Sequence, residues 1–212
     1  MAGAAKRKTS KRVKPTFIEE ARRKQILEIA IHEIEKRGYR NTTIQDIAKQ
    51  AKVSKGVIYY HFNSREELLN TIWSALIEEL FEYRKLRVEQ QKTAKGMLRT
   101  YAKAHFEFVK VNFNKFIALF SMGIDLSPAD NQTHPWSREI NERCFGYLSG
   151  ILGHGQQNGE FGSFPVAMVV PIIQGALDGL ILQWVATPDL VDFKGCRKVL
   201  MDIIEQYTTP TT

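Results

Sequence analysis

A short segment, residues 54–61, carries the side chains best suited to contact an anionic partner. Lys55 stands where a helix would begin, and the unpaired backbone N–H groups at a helix N-terminus favour phosphate. Val57, Ile58 and Phe62 have the spacing of a buried side. The outer positions are then Ser54, Lys55, Gly56, Tyr59, Tyr60 and His61. A helix with such a polar outer side can enter the major groove of DNA, which is about 12 Å wide.

A preceding helix and a turn position this segment. Thr43 is predicted to cap a short helix, with Asp46 three residues on to complete a capping box, and Ser54 is predicted to cap the next helix. Lys52 and Val53 form the tight turn between them. Two short helices joined by a turn of three or four residues are the pattern of a helix-turn-helix motif.

Longer helices are expected on both sides of the motif. One runs from about Phe17 to a C-cap at Gly38, because apolar residues recur at helical spacing between these limits. Ser64, with Glu67 three residues on, forms a second capping box and predicts a long fourth helix.

The positive charge of the chain is concentrated in its N-terminal third, which contains this motif. The 212 residues have a net charge of +7, yet residues 1–75 carry +8 and residues 76–212 carry −1. This distribution favours nucleic acid as the partner. Residues 1–16 hold many basic side chains, no acidic one and little to bury, so they are predicted to be a disordered arm. Whether the arm contacts DNA or only aids solubility stays open.

Residues 42–69, TTIQDIAKQAKVSKGVIYYHFNSREELL, resemble the DNA-binding segment of the TetR family of bacterial transcriptional regulators. The resemblance is close over residues 22–72, and the stretch ALDGLILQW at 176–184 is similar to the dimerising helix of some members. It implies phosphate contacts from Thr43, Tyr59 and Arg65. Base or backbone contacts are implied for Gln45, Ser54, Lys55, Gly56, Tyr60 and His61.

Two points within this segment stay open. Tyr60 and His61 could each pack as scaffold residues. The family commonly has glycine in the turn where this chain has Lys52, so either the turn accommodates a side chain or the usual positive φ is absent there.

The rest of the chain shows no strand-like alternation and predicts helices only. Five are expected, at about residues 94–111, 113–124, 134–156, 165–186 and 192–207. The expected fold class is all-α, with an N-terminal three-helix DNA-binding domain containing the helix-turn-helix and a C-terminal helical ligand-binding and dimerisation domain, about nine helices in all. The domain limits are 1–16 for the arm, 17–63 for the DNA-binding domain, 64–207 for the helical domain and 208–212 for a frayed tail.

The family resemblance also implies a ligand cavity among the C-terminal helices, and such cavities are mostly apolar with a few polar groups. Gln174 and Asp178 lie four residues apart on one face of an otherwise apolar helix. They either line a pocket beside His105 or hydrogen-bond across a subunit interface. The candidate ligand-binding residues are His105, Phe116, Phe120, Trp136, Gln174 and Asp178. A cavity of this composition predicts an apolar, aromatic or cationic effector.

Residues 166–186 are long and apolar enough to cross a membrane. Asp178 near the centre would cost about 2.5 to 3.5 kcal/mol there, which favours a helix buried in protein. This helix and the one at 192–207 expose more apolar surface than one monomer covers, which predicts a homodimer. Its two motifs, about 34 to 36 Å apart, would bind a palindromic operator.

Several other classes of protein are disfavoured. Cys144 and Cys196 form no C-x-x-C spacing, so they give no disulfide framework or cysteine zinc site and fit the cytoplasm. No G-x-S-x-G, P-loop or H-E-x-x-H motif occurs, and the scattered histidines indicate no metal site, so neither an enzyme nor a cofactor is expected. The sequence therefore predicts a cytoplasmic dimeric repressor that a small molecule releases from DNA. An activator, or an architectural or division-linked DNA-binding protein without an inducer, stays open.

Overall fold

The computed structural model describes residues 16–38, 40–116 and 135–210, and all regular structure within these ranges is helical. The helices are α1 (Phe17–Arg37), α2 (Ile44–Gln50), α3 (Lys55–His61), α4 (Arg65–Val88), α5 (Ala94–Val111), α6 (Pro135–Gln157), α7 (Val166–Ala186) and α8 (Phe193–Thr208). The all-α fold class predicted from the sequence is confirmed.

The limits predicted for α5 to α8 differ from the observed ones by at most one residue. Residues 113–116 are helical, and the remainder of the helix predicted at 113–124 lies outside the described residues. The basic arm up to residue 15 lies outside them too.

Local capping explains where the short helices begin. Thr43 Oγ1 accepts a hydrogen bond from the Asp46 N–H at 3.2 Å, and the Asp46 carboxylate accepts one from the Thr43 N–H at 3.1 Å, as predicted. Ser64 Oγ likewise accepts from the Glu67 N–H at 3.1 Å. The second half of the predicted Ser64 box is wrong, because the Glu67 carboxylate instead binds the backbone N–H and the side-chain amide of Asn63.

The first three helices and the start of α4 enclose a small apolar core. Its fully buried members include Ile26, Ile47, Ile58, Phe62 and Leu68. The Arg23 guanidinium covers the Phe62 ring at 4.1 Å from the centroid. Since Ile58 of α3 and Phe62, the residue that follows α3, are buried in this core, the opposite side of the helix faces outward.

The turn between α2 and α3 has a left-handed residue. Lys52 has φ of 53°, and it is the only non-glycine residue with positive φ in the described part of the chain. Of the two alternatives left open by the sequence, the turn therefore accommodates a side chain. Its N–H and that of Val53 donate to the carbonyls of Lys49 and Ala48, which closes the turn.

Lys52→Gly is expected to raise the free energy of unfolding by about 1 kcal/mol, because glycine carries no Cβ to oppose the left-handed conformation. Lys49→Gly is the matched control: Lys49 is exposed in α2, where glycine is expected to lower stability by about 1 kcal/mol. Urea denaturation of both variants measures the two effects. Destabilisation by both substitutions would contradict the assigned turn conformation.

The larger domain is built around α5. The long helix α4 leaves the small core and packs on α5 and α6, and α7 and α8 close the other side. The loop after α6 is fastened to α5, because the Glu160 carboxylate accepts hydrogen bonds from the Ala94 and Lys95 N–H groups, both at 3.0 Å. These are first-turn N–H groups that have no partner within their own helix.

Candidate DNA interface and ligand cavity

The outward side of α3 carries the polar residues singled out in the sequence. Ser54 Oγ accepts a hydrogen bond from the Val57 N–H at 3.3 Å and so starts the helix. Lys55, Gly56 and Tyr59 are exposed beyond it. The first turn of α3 thus presents a lysine, a glycine without a side chain and backbone N–H groups to the surface.

A basic groove lies where α2, α3 and the start of α4 meet. It has a volume of about 530 Å³. The Arg65 Nε–H donates to the Thr42 carbonyl at 3.1 Å, which fixes the guanidinium at one wall. The residues that line the groove are Arg40, Thr42, Thr43, Ile44, Gln45, Lys55, Tyr59 and Arg65. Cationic and hydroxyl-bearing side chains on a concave surface of this kind suit a phosphate backbone.

Five of the nine predicted DNA-contacting residues therefore share this groove: Thr43, Gln45, Lys55, Tyr59 and Arg65. Sequence reasoning missed Arg40. Its position just before the Thr43 cap, within the basic third of the chain, was the available signal.

Tyr60 and His61 lie away from the groove, on the side that faces α1. Tyr60 is 72% exposed and donates its hydroxyl to Glu19 Oε1 at 2.6 Å. This hydrogen bond raises the pKa of Tyr60 and lowers that of Glu19. His61 is partly buried, its carbonyl accepts from Arg23, and burial with the Arg23 charge lowers its pKa. Tyr60 thus stays accessible at the surface, whereas His61 is partly a scaffold residue.

A second concave site lies in the larger domain, between α4, α5, α6 and α7. It is a cavity of about 150 Å³. Four of the predicted ligand-binding residues line it: His105, Phe116, Gln174 and Asp178. Phe120 lies outside the described residues, and so does the side chain of Trp136.

The cavity has further walls that the sequence analysis did not assign. Trp73, Ile77 and Leu80 of α4 supply apolar surface, and Arg84 and Cys144 supply polar atoms. The burial of Arg84 could have been predicted from the sequence. It follows Leu76 and Leu80 at intervals of four residues, so helical periodicity alone places it on the buried stripe of α4.

A chain of polar contacts crosses one side of the cavity. The Tyr101 hydroxyl donates to Gln174 Oε1 at 2.7 Å, and Gln174 Nε2 lies 3.0 Å from each carboxylate oxygen of Asp178. His105 Nε2 lies 3.1 Å from Asp178 Oδ1. Arg84 contacts His105 Nδ1 at 3.4 Å. Gln174 and Asp178 thus have partners within one chain and lie in the pocket beside His105.

Burial and neighbouring charges set the ionisation of this chain. Burial lowers the pKa of His105 and raises that of Tyr101, which keeps both side chains neutral near pH 7. Burial also raises the pKa of Asp178, but the hydrogen bond from His105 and the contact with Gln174 outweigh it, so that pKa is lowered. Asp178 is therefore a carboxylate near neutral pH.

An apolar face remains uncovered on α7 and α8. Met168 and Ile172 of α7 are 66% and 68% exposed, and a Cβ added at Gly175 or Gly179, further along the same side, would meet no atom within 4 Å. On α8 the exposed residues at successive turns are Val199, Ile203 and Tyr207. Judged by length and composition alone, α7 is also long and apolar enough to cross a membrane. We call these exposed residues the α7–α8 face.

Comparison with known proteins identifies relatives of this chain. Residues 26–72 match the family model described as "Bacterial regulatory proteins, tetR family". The fatty acid metabolism regulator protein of Bacillus subtilis is 26% identical over 184 residues, which cover 85% of this chain and 92% of that protein. The repressor KstR2 of Rhodococcus jostii is 27% identical over 67% of this chain and 69% of its own length.

Solved structures show the same likeness over the whole fold. The transcriptional regulator FadR from Bacillus subtilis, in complex with stearoyl-CoA, superposes with a TM-score of 0.71 at 26% identity and covers 87% of this chain and 98% of its own. A regulator from Saccharomonospora viridis in complex with choline has a TM-score of 0.74 at 20% identity, over 91% of this chain and 100% of its own, and shares the fold. The helix-turn-helix region, residues 26–72, thus matches the TetR family of bacterial regulatory proteins in sequence, and the chain as a whole has the fold of solved transcriptional regulators.

Proposed function

We propose that the chain is a cytoplasmic, homodimeric repressor that binds a palindromic operator and is released when a small molecule occupies the cavity beside His105. The observation that carries the proposal is the basic groove between α2, α3 and α4, which joins Lys55 and Arg65 to the hydroxyls of Thr43 and Tyr59. Base or backbone contacts come from the outer side of α3 and from Gln45 beside it. Ser54, Gly56, Tyr60 and His61 complete the proposed DNA-binding set.

The dimer is supported by the α7–α8 face. An exposed apolar surface of this kind marks an interaction site, and two-fold symmetry makes a single patch self-complementary. A dimer also gives two recognition helices with a fixed separation, which matches a palindromic site.

Small-molecule control is supported by the cavity, which favours an inducible regulator over an architectural DNA-binding protein. The relative from Bacillus subtilis whose structure contains stearoyl-CoA supports regulation by a compound with an apolar body. The ligand is expected to prefer the conformation that does not bind DNA. By thermodynamic linkage, it then lowers the affinity for DNA by the same factor by which DNA lowers the affinity for the ligand.

Selection of bound sequences from a random duplex library, with the full-length protein at two salt concentrations, tests the proposal. A palindromic consensus and a steep salt dependence are expected, because phosphate contacts release counterions. Absence of any enriched sequence from a folded protein would overturn sequence-specific regulation.

Matched variants separate the contacts of the groove. Arg65→Ala should lower affinity for all operators and reduce the slope of log K against log salt by about one, since a charge on a phosphate is lost. Tyr59→Phe removes only a neutral hydroxyl, so it should lower affinity and leave that slope unchanged. Lys55→Ala should change sequence preference if Lys55 binds bases; an equal loss on every operator variant would assign Lys55 to phosphate.

A further inference from the structure

Arg84 is a buried cation that no carboxylate of the described residues contacts. Its side chain is 1% exposed, and its guanidinium lies over the Tyr101 ring at 4.5 Å from the centroid. Across the residues that the structure describes, it forms no ion pair. Buried charges are normally paired, since an uncompensated one is costly to remove from water.

The polar contacts that Arg84 makes are weak ones. One terminal nitrogen lies 3.4 Å from His105 Nδ1, and the other donates to Cys144 Sγ at 3.3 Å. Nε has no hydrogen-bond partner in the described part of the chain. A guanidinium has five N–H donors in a planar fork, and a thiol is a weak acceptor. Among the described residues, Arg84 therefore keeps its Nε–H donor without an acceptor, and its side chain lines a cavity.

Asp178 does not satisfy this donor, because His105 stands between the two groups. Arg84 can only donate at His105 Nδ1, and the other ring nitrogen, Nε2, lies 3.1 Å from Asp178 Oδ1. Gln174 Nε2 lies 3.0 Å from both oxygens of the same carboxylate. Asp178 is held by its own partners, and Arg84 is among the residues that line the cavity.

The remaining wall is suited to an apolar body. Trp73, Ile77, Leu80 and Phe116 line the cavity opposite the polar chain. We propose that the cavity binds a small anionic amphiphile, with its carboxylate on Arg84 and its apolar chain or ring against Trp73 and Phe116. The planar fork of arginine matches the two oxygens of a carboxylate. This inference rests on the proposed ligand-regulated function and names the ligand class of its cavity.

The same geometry disfavours the cationic effector that the sequence left open. A cation beside Arg84 would bury two like charges within one cavity of about 150 Å³, and the Asp178 carboxylate in the same cavity is already in contact with Gln174 and His105. The charge of the head group is therefore the property to vary, with the body of the ligand kept constant.

Three compounds of equal chain length make that comparison: octanoate, octanol and octylamine. Calorimetric titration of the full-length protein is expected to show that octanoate binds at least about tenfold more tightly than octanol, with no binding of octylamine, because a charge-assisted bidentate pair is formed only by the carboxylate. Butyrate, laurate and phenylbutyrate extend the series to other apolar bodies. Failure of every carboxylate to bind would overturn the proposal.

Arg84→Met retains an unbranched apolar side chain and removes the fork. The variant should bind octanoate no more tightly than octanol. Arg87→Met is the control, because Arg87 lies on the same helix, is partly exposed and contacts Tyr83 instead of the cavity; it should keep the full preference for carboxylate. A preference that persists in a folded Arg84→Met variant overturns the assignment.

Arg84→Lys covers the case in which the methionine variant does not fold. Lysine keeps the charge but offers no fork, so octanoate should still be favoured over octanol, by a smaller factor than in the unmodified protein. An unchanged factor would overturn a role for the guanidinium.

The binding test and the DNA test fail independently. If carboxylates bind through Arg84 but no operator can be selected, the ligand site stands and the proposed function falls. If an operator is selected and octylamine or octanol releases the protein while octanoate does not, the regulator stands and the carboxylate proposal falls.

Discussion

Ile172→Asp is expected to separate the proposed dimer into monomers and to lower operator affinity by a factor of about 10² to 10⁴, the range over which linking two binding modules raises avidity. Ile172 is 68% exposed on α7, so the change leaves the monomer core intact. In a dimer built on the α7–α8 face it would bury a carboxylate without a partner.

Leu86→Asp is the matched control for this substitution. Leu86 is 60% exposed on α4, outside the α7–α8 face, and aspartate there should leave both mass and affinity unchanged. Analytical ultracentrifugation gives the mass and fluorescence anisotropy gives the affinity for a selected operator. An Ile172→Asp protein that remains dimeric would move the interface to another surface.

Phe62→Ala is expected to lower the stability of the DNA-binding domain by about 3 to 5 kcal/mol, the usual cost of truncating a buried phenylalanine. Phe62 is fully buried below α3, and Arg23 covers its ring. The change therefore removes the packing that orients α3 and leaves Arg23 without its aromatic contact. Operator binding should be lost with it.

Native-state hydrogen exchange measures this effect locally. Protection of the α1 to α3 amides should fall, while that of α5 to α7 should be retained. Phe17→Ala removes the same side chain from a position that is 85% exposed and should change stability by less than about 0.5 kcal/mol. Equal effects of the two substitutions would show that Phe62 does not hold α3 in place.

Interactions within a few residues of one another were predictable from the sequence. The Thr43–Asp46 box was predicted in full because both of its hydrogen bonds span three residues. The Ser64 box was predicted only in part, since Asn63 offers two donors that compete for the Glu67 carboxylate. Side-chain competition of this kind is decided by geometry that a motif does not contain.

For contacts between residues far apart in the sequence, the sequence analysis gave only alternative sets of partners. The spacing of Gln174 and Asp178 places them on one face, but their partners Tyr101 and His105 lie on another helix, about seventy residues earlier. Arg84 was missed because arginine is mostly exposed in proteins, although its spacing from Leu80 matches the buried stripe. For these residues periodicity gives the face of a helix, and packing decides what that face meets.

One helix serves both sites. Arg65 at the first turn of α4 lines the basic groove, and Arg84 on the same helix lines the cavity. The helix contains neither proline nor glycine, so nothing in its sequence provides a hinge between them. At 1.5 Å per residue the two arginines are about 28 Å apart along the helix axis. If the helix tilts by about 5° around Arg84, Arg65 is therefore displaced by about 2.5 Å. A movement too small to disturb the packing around Arg84 would thus be large enough to break hydrogen bonds to a phosphate at Arg65.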